Sequence, residues 1–198
     1  MPNPPNPQRR SETSRRATLD AALELCAEQG YVQVTVEGIA ARAGVSKKTV
    51  YRWWPSKGAV VLEAVHDSAL RPTIFPDTGD LAADLLTQLS GVIGELTAPR
   101  TRSAVIGVFT AALHDPDLGE QLHRQWISPR IEQFRHRLRL AEEQGQLPPG
   151  TDPDVIMDLV YGPIFHRLMV HLPLPDVAYL RKLLGIVLPV TDQPAVPA

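Results

Sequence analysis

The chain has little of what several common protein classes require. Its 198 residues include a single cysteine, Cys26, which excludes an intramolecular disulfide and offers no cysteine cluster for zinc. No apolar run reaches the roughly 18 residues that a membrane-spanning helix needs. No stretch alternates polar and apolar residues between turn signals, so no strands are predicted. These absences indicate an all-α chain with no membrane contact, and a cytoplasmic location is expected.

Signatures of catalysis and of metal binding are also missing. The six histidines are scattered, and no pair has the i, i+4 spacing around a glutamate that a zinc protease uses. Neither a Gly-rich phosphate loop nor a serine nucleophile elbow occurs. Asp115 and Asp117 flank Pro116 at a predicted helix start, where carboxylates are typical caps. We therefore expect a protein that is not an enzyme and that holds no metal or other cofactor.

The charge is divided unevenly along the chain. The formal net charge is only -2, but residues 1–60 contain nine Lys or Arg against five Asp or Glu. Residues 61–198 contain eleven against seventeen. A basic N-terminal third on an acidic remainder is the layout of a nucleic-acid-binding module attached to a body that does not bind nucleic acid.

The segment TVEGIAARAGVSKKTVYRWWPSK, which begins at Thr35, has the pattern of two short helices joined by a tight turn. An apolar stripe over Val36 to Ala43 predicts the first helix, with Thr35 as its N-cap. Gly44 can adopt the positive φ that ends this helix, and Ser46 can cap a second helix over about Lys47 to Trp53. This arrangement predicts a helix-turn-helix, whose second helix enters the major groove of DNA.

The outward side chains of the second helix are cationic or polar, and no core requires them. The N-terminal residues of a recognition helix meet base edges, so Lys47 and Lys48 are predicted to read bases. Lys57 is predicted to contact phosphate beside the N-terminus of the next helix. The complete predicted DNA-binding set is Thr35, Ser46, Lys47, Lys48, Thr49, Tyr51, Arg52, Trp53 and Lys57.

The pattern T-V-x-x-I-A-x-x-A-G-V-S-x-x-T-x-Y-x-x-W-P-S-K resembles the DNA-binding domain of the TetR (tetracycline repressor) family of bacterial transcription regulators. The match runs from Leu19 to Leu62. Family members usually have Phe at the position of Trp54 and often a bulky aromatic at that of Cys26. A larger ring and a smaller thiol are therefore expected to exchange volume in one core, with the thiol buried and inert.

The resemblance implies an all-α fold with an N-terminal three-helix DNA-binding domain and a C-terminal helical domain for ligand binding and dimerisation. The predicted divisions are a flexible basic arm at 1–10, the DNA-binding domain at 11–56, the helical body at 57–190 and a flexible tail at 191–198. The predicted helices outside the motif cover 11–29, 57–70, 81–96, 100–113, 118–143, 152–171 and 177–188.

The sequence allows two interpretations for His66 and two for the N-terminal arginines. His66 is either a partly exposed surface residue or part of a ligand site. A group of arginines near the N-terminus is either a solvated charge run or a set of DNA contacts. These arginines are Arg9, Arg10, Arg15 and Arg16.

The segment DPDVIMDLVYGPIFHRLMVHL is apolar nearly all round as a helix, which one core cannot easily absorb, so a partner is expected. The last predicted helix has its own apolar stripe. Two such helices from each of two chains would form a four-helix bundle, as in dimers of the family that the chain resembles. We expect a homodimer that binds a near-palindromic site in double-stranded DNA. The predicted interface residues are Ile164, Leu168, Leu180 and Leu184.

The resemblance favours a repressor that a small apolar or aromatic effector releases from its operator. Aromatic side chains recur on the body helices, and the polar tips of Trp and Tyr suit a ligand site. The predicted walls of this site are Phe109, Trp126, Tyr161 and Phe165. The alternative is a helix-turn-helix regulator without a ligand, whose body serves only dimerisation or contact with a protein partner.

Overall fold

The computed structural model describes residues 7–69 and 75–188, and all regular structure in these ranges is helical, which confirms the predicted all-α class. A 3-10 turn covers Tyr31–Gln33, and a π-helical turn covers His123–Ile127. The α-helices are α1 (Pro7–Gln29), α2 (Val36–Ala43), α3 (Lys47–Trp53), α4 (Lys57–Ala69), α5 (Leu81–Thr97), α6 (Arg102–Ala112), α7 (Pro116–Leu122), α8 (Ser128–Glu143), α9 (Pro153–Met169) and α10 (Val177–Val187).

The helices form two compact units. The first contains α1 to α4, the end of α5 from Glu95, α6, α7 and the π-helical turn. The second contains the rest of α5 with α8, α9 and α10. A domain boundary between residues 56 and 57, at the start of α4, was predicted. In the structure α4 packs on α1 and on α6, and α7 also contacts α4. The helices predicted to form the DNA-binding motif, α2 and α3, therefore share one unit with α4, α6 and α7. None of the described helices has the length and apolar character needed to cross a membrane.

The start of α1 departs from the prediction. The helix begins at Pro7 and not near residue 11, so 7–10 belong to a helix instead of the expected flexible arm. Residues 1–6 and the predicted tail at 191–198 lie outside the described residues, as do the side chains of Arg9 and Arg10. Arg15 is paired with Glu63 and Glu12, whereas Arg16 is exposed.

The core of the first unit explains the residues at two unusual positions. Cys26 is fully buried, as predicted, and desolvation raises the pKa of its thiol to about 11. The thiol is therefore protonated at neutral pH. Trp54 is also buried, and its indole Nε1 donates to Glu63 Oε2 at 2.6 Å. Arg15 Nε donates to the other oxygen of Glu63 at 2.8 Å. A buried indole N–H needs such an acceptor, and Glu63 supplies it.

The helix predicted over 118–143 is divided into α7, the π-helical turn and α8. Pro129 lies one residue after the start of α8 and has no amide hydrogen to donate to the carbonyl of Gln125. A wider turn just before a proline accommodates this missing hydrogen bond and the bulk of the ring. The apolar stripe alone does not reveal such an interruption.

A buried ion pair lies in the second unit. Asp84 and Arg137 are 0% and 2% exposed, and Arg137 Nε donates to Asp84 Oδ2 at 2.9 Å. The hydroxyl of Thr78 donates to the other oxygen of Asp84 at 2.7 Å. Burial by itself would raise the pKa of Asp84, but the hydrogen bonds from Thr78 and Arg137 outweigh it and lower this pKa. Asp84 therefore stays ionised at neutral pH.

The predicted dimer-interface residues require correction. Ile164, Leu180 and Leu184 are 0%, 1% and 4% exposed, so they belong to the protomer's own core. Leu168 is half-buried. Since α9 is apolar on several sides, the sequence could not tell its inner side from its outer one. The large apolar residues that are exposed on α9, α10 and the segment between them are Val155, Leu159, Met169, Val170, Leu172, Val177, Tyr179 and Ile186.

Candidate nucleic-acid interface

The two helices of the motif are defined by local capping. Thr35 Oγ1 accepts from the amide of Gly38 at 3.0 Å, and Ser46 Oγ accepts from the amide of Thr49 at 3.1 Å. Gly44 ends α2 with φ of 67°, and its amide donates to the carbonyls of Ala40 and Ala41. The predicted N-caps and the predicted turn are therefore confirmed, and α3 follows α2 after a turn of three residues.

α3 has one buried anchor and an outer side of cations and aromatic rings. Val50 is 1% exposed and fixes the helix to the core. Tyr51 and Trp53 are 47% and 40% exposed, which is unusual for large rings on so short a helix. The guanidinium of Arg52 lies 5.8 Å from the centre of the Trp53 ring. Exposed cations and rings together suit a surface that binds phosphates and bases.

Lys47, at the first position of α3, has a partner that the sequence interpretation missed. Its ammonium forms an ion pair with Glu37 of α2 and lies 5.6 Å from the centre of the Tyr51 ring. Hydrogen bonding within this pair raises the pKa of Lys47 and lowers that of Glu37. Both side chains are more than half exposed, so the pair lies at the surface.

Lys57, the predicted phosphate contact, makes hydrogen bonds within the protein that the sequence did not indicate. Its Nζ donates to the carbonyl oxygens of Tyr31, Val32 and Val34 at 3.1, 3.1 and 2.9 Å. It also lies 4.7 Å from the centre of the Tyr31 ring. A lysine ammonium has three N–H donors, and these carbonyls use all of them. Lys57 thus fixes the segment that leads into α2, and phosphate contact would require these bonds to break.

α6 holds the same segment from another side. The amide of Tyr31 donates to Ser103 Oγ at 3.0 Å. A Cβ placed on Gly107 would lie 2.2 Å from Tyr31 Cγ, so the ring rests directly on the backbone of α6. Ser103 and Gly107 are four residues apart and share one side of α6. The two small residues on this side of α6 were the sequence signal for the contact.

We expect Lys57→Met to lower the free energy of unfolding by about 2 kcal/mol, because it leaves three carbonyl oxygens without their charged donor. Lys48→Met is the matched control, since Lys48 is exposed and has no ion pair among the described residues, and it should change stability by less than about 0.5 kcal/mol. Denaturant unfolding of the three proteins measures both values. Equal stabilities for the two variants would show that the carbonyl contacts contribute nothing.

The predicted ligand-wall residues are distributed over both units. Phe109 and Trp126 belong to the first unit, with ring centres 5.1 Å apart in an edge-to-face contact. Tyr161 and Phe165 belong to the second unit, where the Tyr161 ring centre lies 5.8 Å from that of Phe134. Each unit therefore contains an edge-to-face contact made by at least one of the predicted wall residues. His66 is exposed.

Comparisons with known proteins cover both parts of the chain. Residues 19–64 match the model for bacterial regulatory proteins of the tetR family. Residues 75–187 match the model for the tetracyclin repressor-like C-terminal domain.

Individual relatives agree with these matches. The uncharacterised HTH-type transcriptional regulator YdeS of Bacillus subtilis is 34% identical over 174 residues, which span 88% of this chain and 87% of YdeS. The DNA-binding transcriptional repressor TetR of Mycobacteroides abscessus is 29% identical over 187 residues, spanning 93% of this chain and 97% of that repressor. The crystal structure of the TetR family transcription regulator SCO0332 superposes with a TM-score of 0.68 at 37% identity, covering 88% of this chain and 96% of that one. With its capped helix-turn-helix and all-α body, the chain belongs to the TetR family of helix-turn-helix transcriptional regulators.

Proposed function

We propose that the protein is a sequence-specific DNA-binding regulator whose α3 lies in the major groove. The observation that carries this proposal is the outer side of α3, where Lys48, Arg52 and two large rings are exposed around the buried Val50. Lys47 and Lys48 are the proposed base-reading residues, and Tyr51, Trp53 and Thr49 are proposed phosphate contacts. Cytoplasmic location follows from this role.

We also propose that two copies associate through the exposed sides of α9 and α10. Eight of the twelve large apolar residues that are exposed in the described part of the chain lie between Val155 and Ile186. Gly162 is exposed on α9, and a Cβ built there meets no atom within 4 Å, so the helix of a partner can approach closely. An apolar side of this size on paired helices is characteristic of a homodimer interface. Two-fold symmetry then requires a near-palindromic DNA site.

Repression with release by an effector is proposed from a further observation in the second unit. Gln88 Oε1 and Arg137 Nη1 are buried and have no hydrogen-bond partner among the described residues. Gln88 lies one turn along α5 from Asp84, and Asp84 contacts Arg137. The side chains of Gln88 and Arg137 are therefore expected to lie in the same part of the second unit. Buried polar atoms require partners, and a ligand with one donor and one acceptor would supply them.

Tyr161 and Phe165 remain candidate walls for such a ligand in the second unit, and Phe109 and Trp126 remain candidates in the first. FadR of Bacillus subtilis, which was crystallised with stearoyl-CoA, has a TM-score of 0.64 at 20% identity and covers 87% of this chain and 96% of its own. That likeness shows the fold alone. The alternative is a regulator that binds no ligand. In that case ordered water would supply the hydrogen bonds of Gln88 and Arg137.

Selection of bound sequences from a pool of random duplexes tests the proposal. The expected result is one enriched sequence with two inverted half-sites, their centres about one helical turn or slightly more apart. A thermal-shift screen of small molecules then separates the two rivals. A compound that stabilises the protein should weaken binding to the selected duplex by about 1–3 kcal/mol, and the duplex should weaken the compound equally. No enrichment over the starting pool would contradict sequence-specific binding.

A further inference from the structure

The three cations of α3 differ in their surroundings. Lys47 is paired with the carboxylate of Glu37, while among the described residues Lys48 and Arg52 have no such ion pair. Arg52 rests near the Trp53 ring, which leaves its charge uncompensated. Lys47 therefore contributes least to the positive potential that α3 presents to a phosphate backbone.

Glu37 and the Tyr51 ring together restrict the ammonium of Lys47. Glu37 holds it from the first turn of α2, and the ring lies one helical turn further along α3. A free lysine side chain loses about 2 kcal/mol of rotamer freedom when it is fixed in one position. For Lys47, part of this loss of rotamer freedom therefore occurs before DNA binds. The ammonium has three N–H donors, so one can stay on Glu37 while others point to acceptors on a base.

Random and specific DNA use this ammonium differently. Binding to random duplexes depends on cations that neutralise phosphates and release counterions, and a lysine already paired with a carboxylate adds little. Binding to a specific site depends on hydrogen bonds to base edges, such as those from lysine to guanine O6 and N7. These bonds need a correctly placed donor more than a net charge.

We propose that Glu37 is a specificity-determining residue, which keeps Lys47 oriented for base contact and withholds its charge from random phosphates. The proposal rests on DNA binding through α3 as described above. In the specific complex, the contact between Glu37 and Lys47 is kept. Glu37 itself touches no base, and it acts through Lys47.

A purely structural role makes a different prediction. A cation at the N-terminus of a helix is unfavourable to the helix dipole, and Glu37 could serve only to offset it. Removing Glu37 would then lower stability slightly and leave the ratio of specific to random affinity unchanged. A gain of affinity for random DNA cannot arise from partial unfolding, so the two roles are separable.

The test is Glu37→Gln in the full-length protein, with fluorescence anisotropy on a random 30-base-pair duplex pool and on the duplex that selection yields. We expect the variant to bind the random pool about three- to tenfold more tightly, with a salt slope steeper by about 0.9 per DNA-binding unit. Affinity for the selected duplex should stay constant or fall. In a Lys47→Gln background, Glu37→Gln should have no effect on the random pool.

Glu28→Gln is the matched control, because Glu28 forms a comparable exposed ion pair with Arg42, between α1 and α2. It should leave both affinities unchanged. Three results would overturn the inference: no gain on the random pool, an equal gain on both duplexes, or a gain that persists without Lys47. If the wild type itself does not discriminate between the two duplexes, the proposed function fails first, and this outcome is distinct from all three.

Discussion

Ile186→Glu is expected to convert the proposed dimer into monomers and to weaken binding to the selected duplex by about 100-fold or more. Two DNA-binding domains joined in one dimer gain at least this factor from their effective concentration. Ile186 is 83% exposed on α10, so the glutamate does not enter the protomer core. In a two-fold interface each substitution occurs twice, and every buried carboxylate without a partner costs several kcal/mol.

The control for this experiment is Leu113→Glu. Leu113 is 71% exposed and lies just after α6, outside the proposed interface, so this variant should stay dimeric. Sedimentation velocity gives the assembly state of both proteins, and anisotropy gives their affinity for DNA. If Ile186→Glu remains a dimer at the concentration used for the wild type, the exposed side of α10 is not the interface.

Gly107→Ala is expected to lower the free energy of unfolding by about 2–3 kcal/mol, within the range for overpacked cores. The added methyl would lie 2.2 and 2.3 Å from Cγ and Cβ of Tyr31. These atoms are at the root of the side chain and cannot move unless the Tyr31 backbone also moves. That backbone is held by Ser103 and by Lys57, so relief of the clash breaks further contacts.

The same substitution at Gly91 is the control. Gly91 lies in the middle of α5, and a Cβ built there meets no atom within 4 Å. Gly91→Ala should therefore raise stability by about 0.5–1 kcal/mol through the better helix propensity of alanine. Thermal or denaturant unfolding of both variants checks the opposite signs. A neutral or stabilising Gly107→Ala would show that Tyr31 does not pack against α6 as described.

The features that the sequence predicted correctly depend on local chemistry. Thr35, Gly44 and Ser46 define α2 and the start of α3 through contacts within four residues, and such contacts can be inferred from spacing alone. The buried state of Cys26 followed from its place in the apolar stripe of α1. Thr35, Gly44 and Ser46 define the two helices of the predicted DNA-binding motif and the turn between them.

The features that the sequence missed depend on contacts between distant residues. Lys57 bonds to carbonyls more than twenty residues away, and its position at a helix start gave no sign of this. Glu63 is the acceptor for Trp54, and although Trp54 was singled out from the sequence, nothing there pointed to its partner. For Ile164, the choice between core and interface depended on which side of α9 the other helices cover. Periodicity alone cannot decide this when a helix is apolar nearly all round.

The claim that α3 reads base sequence is tested most directly by the affinity ratio between the selected duplex and a scrambled duplex of equal composition. This ratio is measured for the wild type and for Lys48→Ala. If α3 reads bases, the variant loses about 1–3 kcal/mol on the selected duplex and less on the scrambled one, with relaxed preference at one position of each half-site. Equal losses on both duplexes would contradict it and would reduce Lys48 to a phosphate contact.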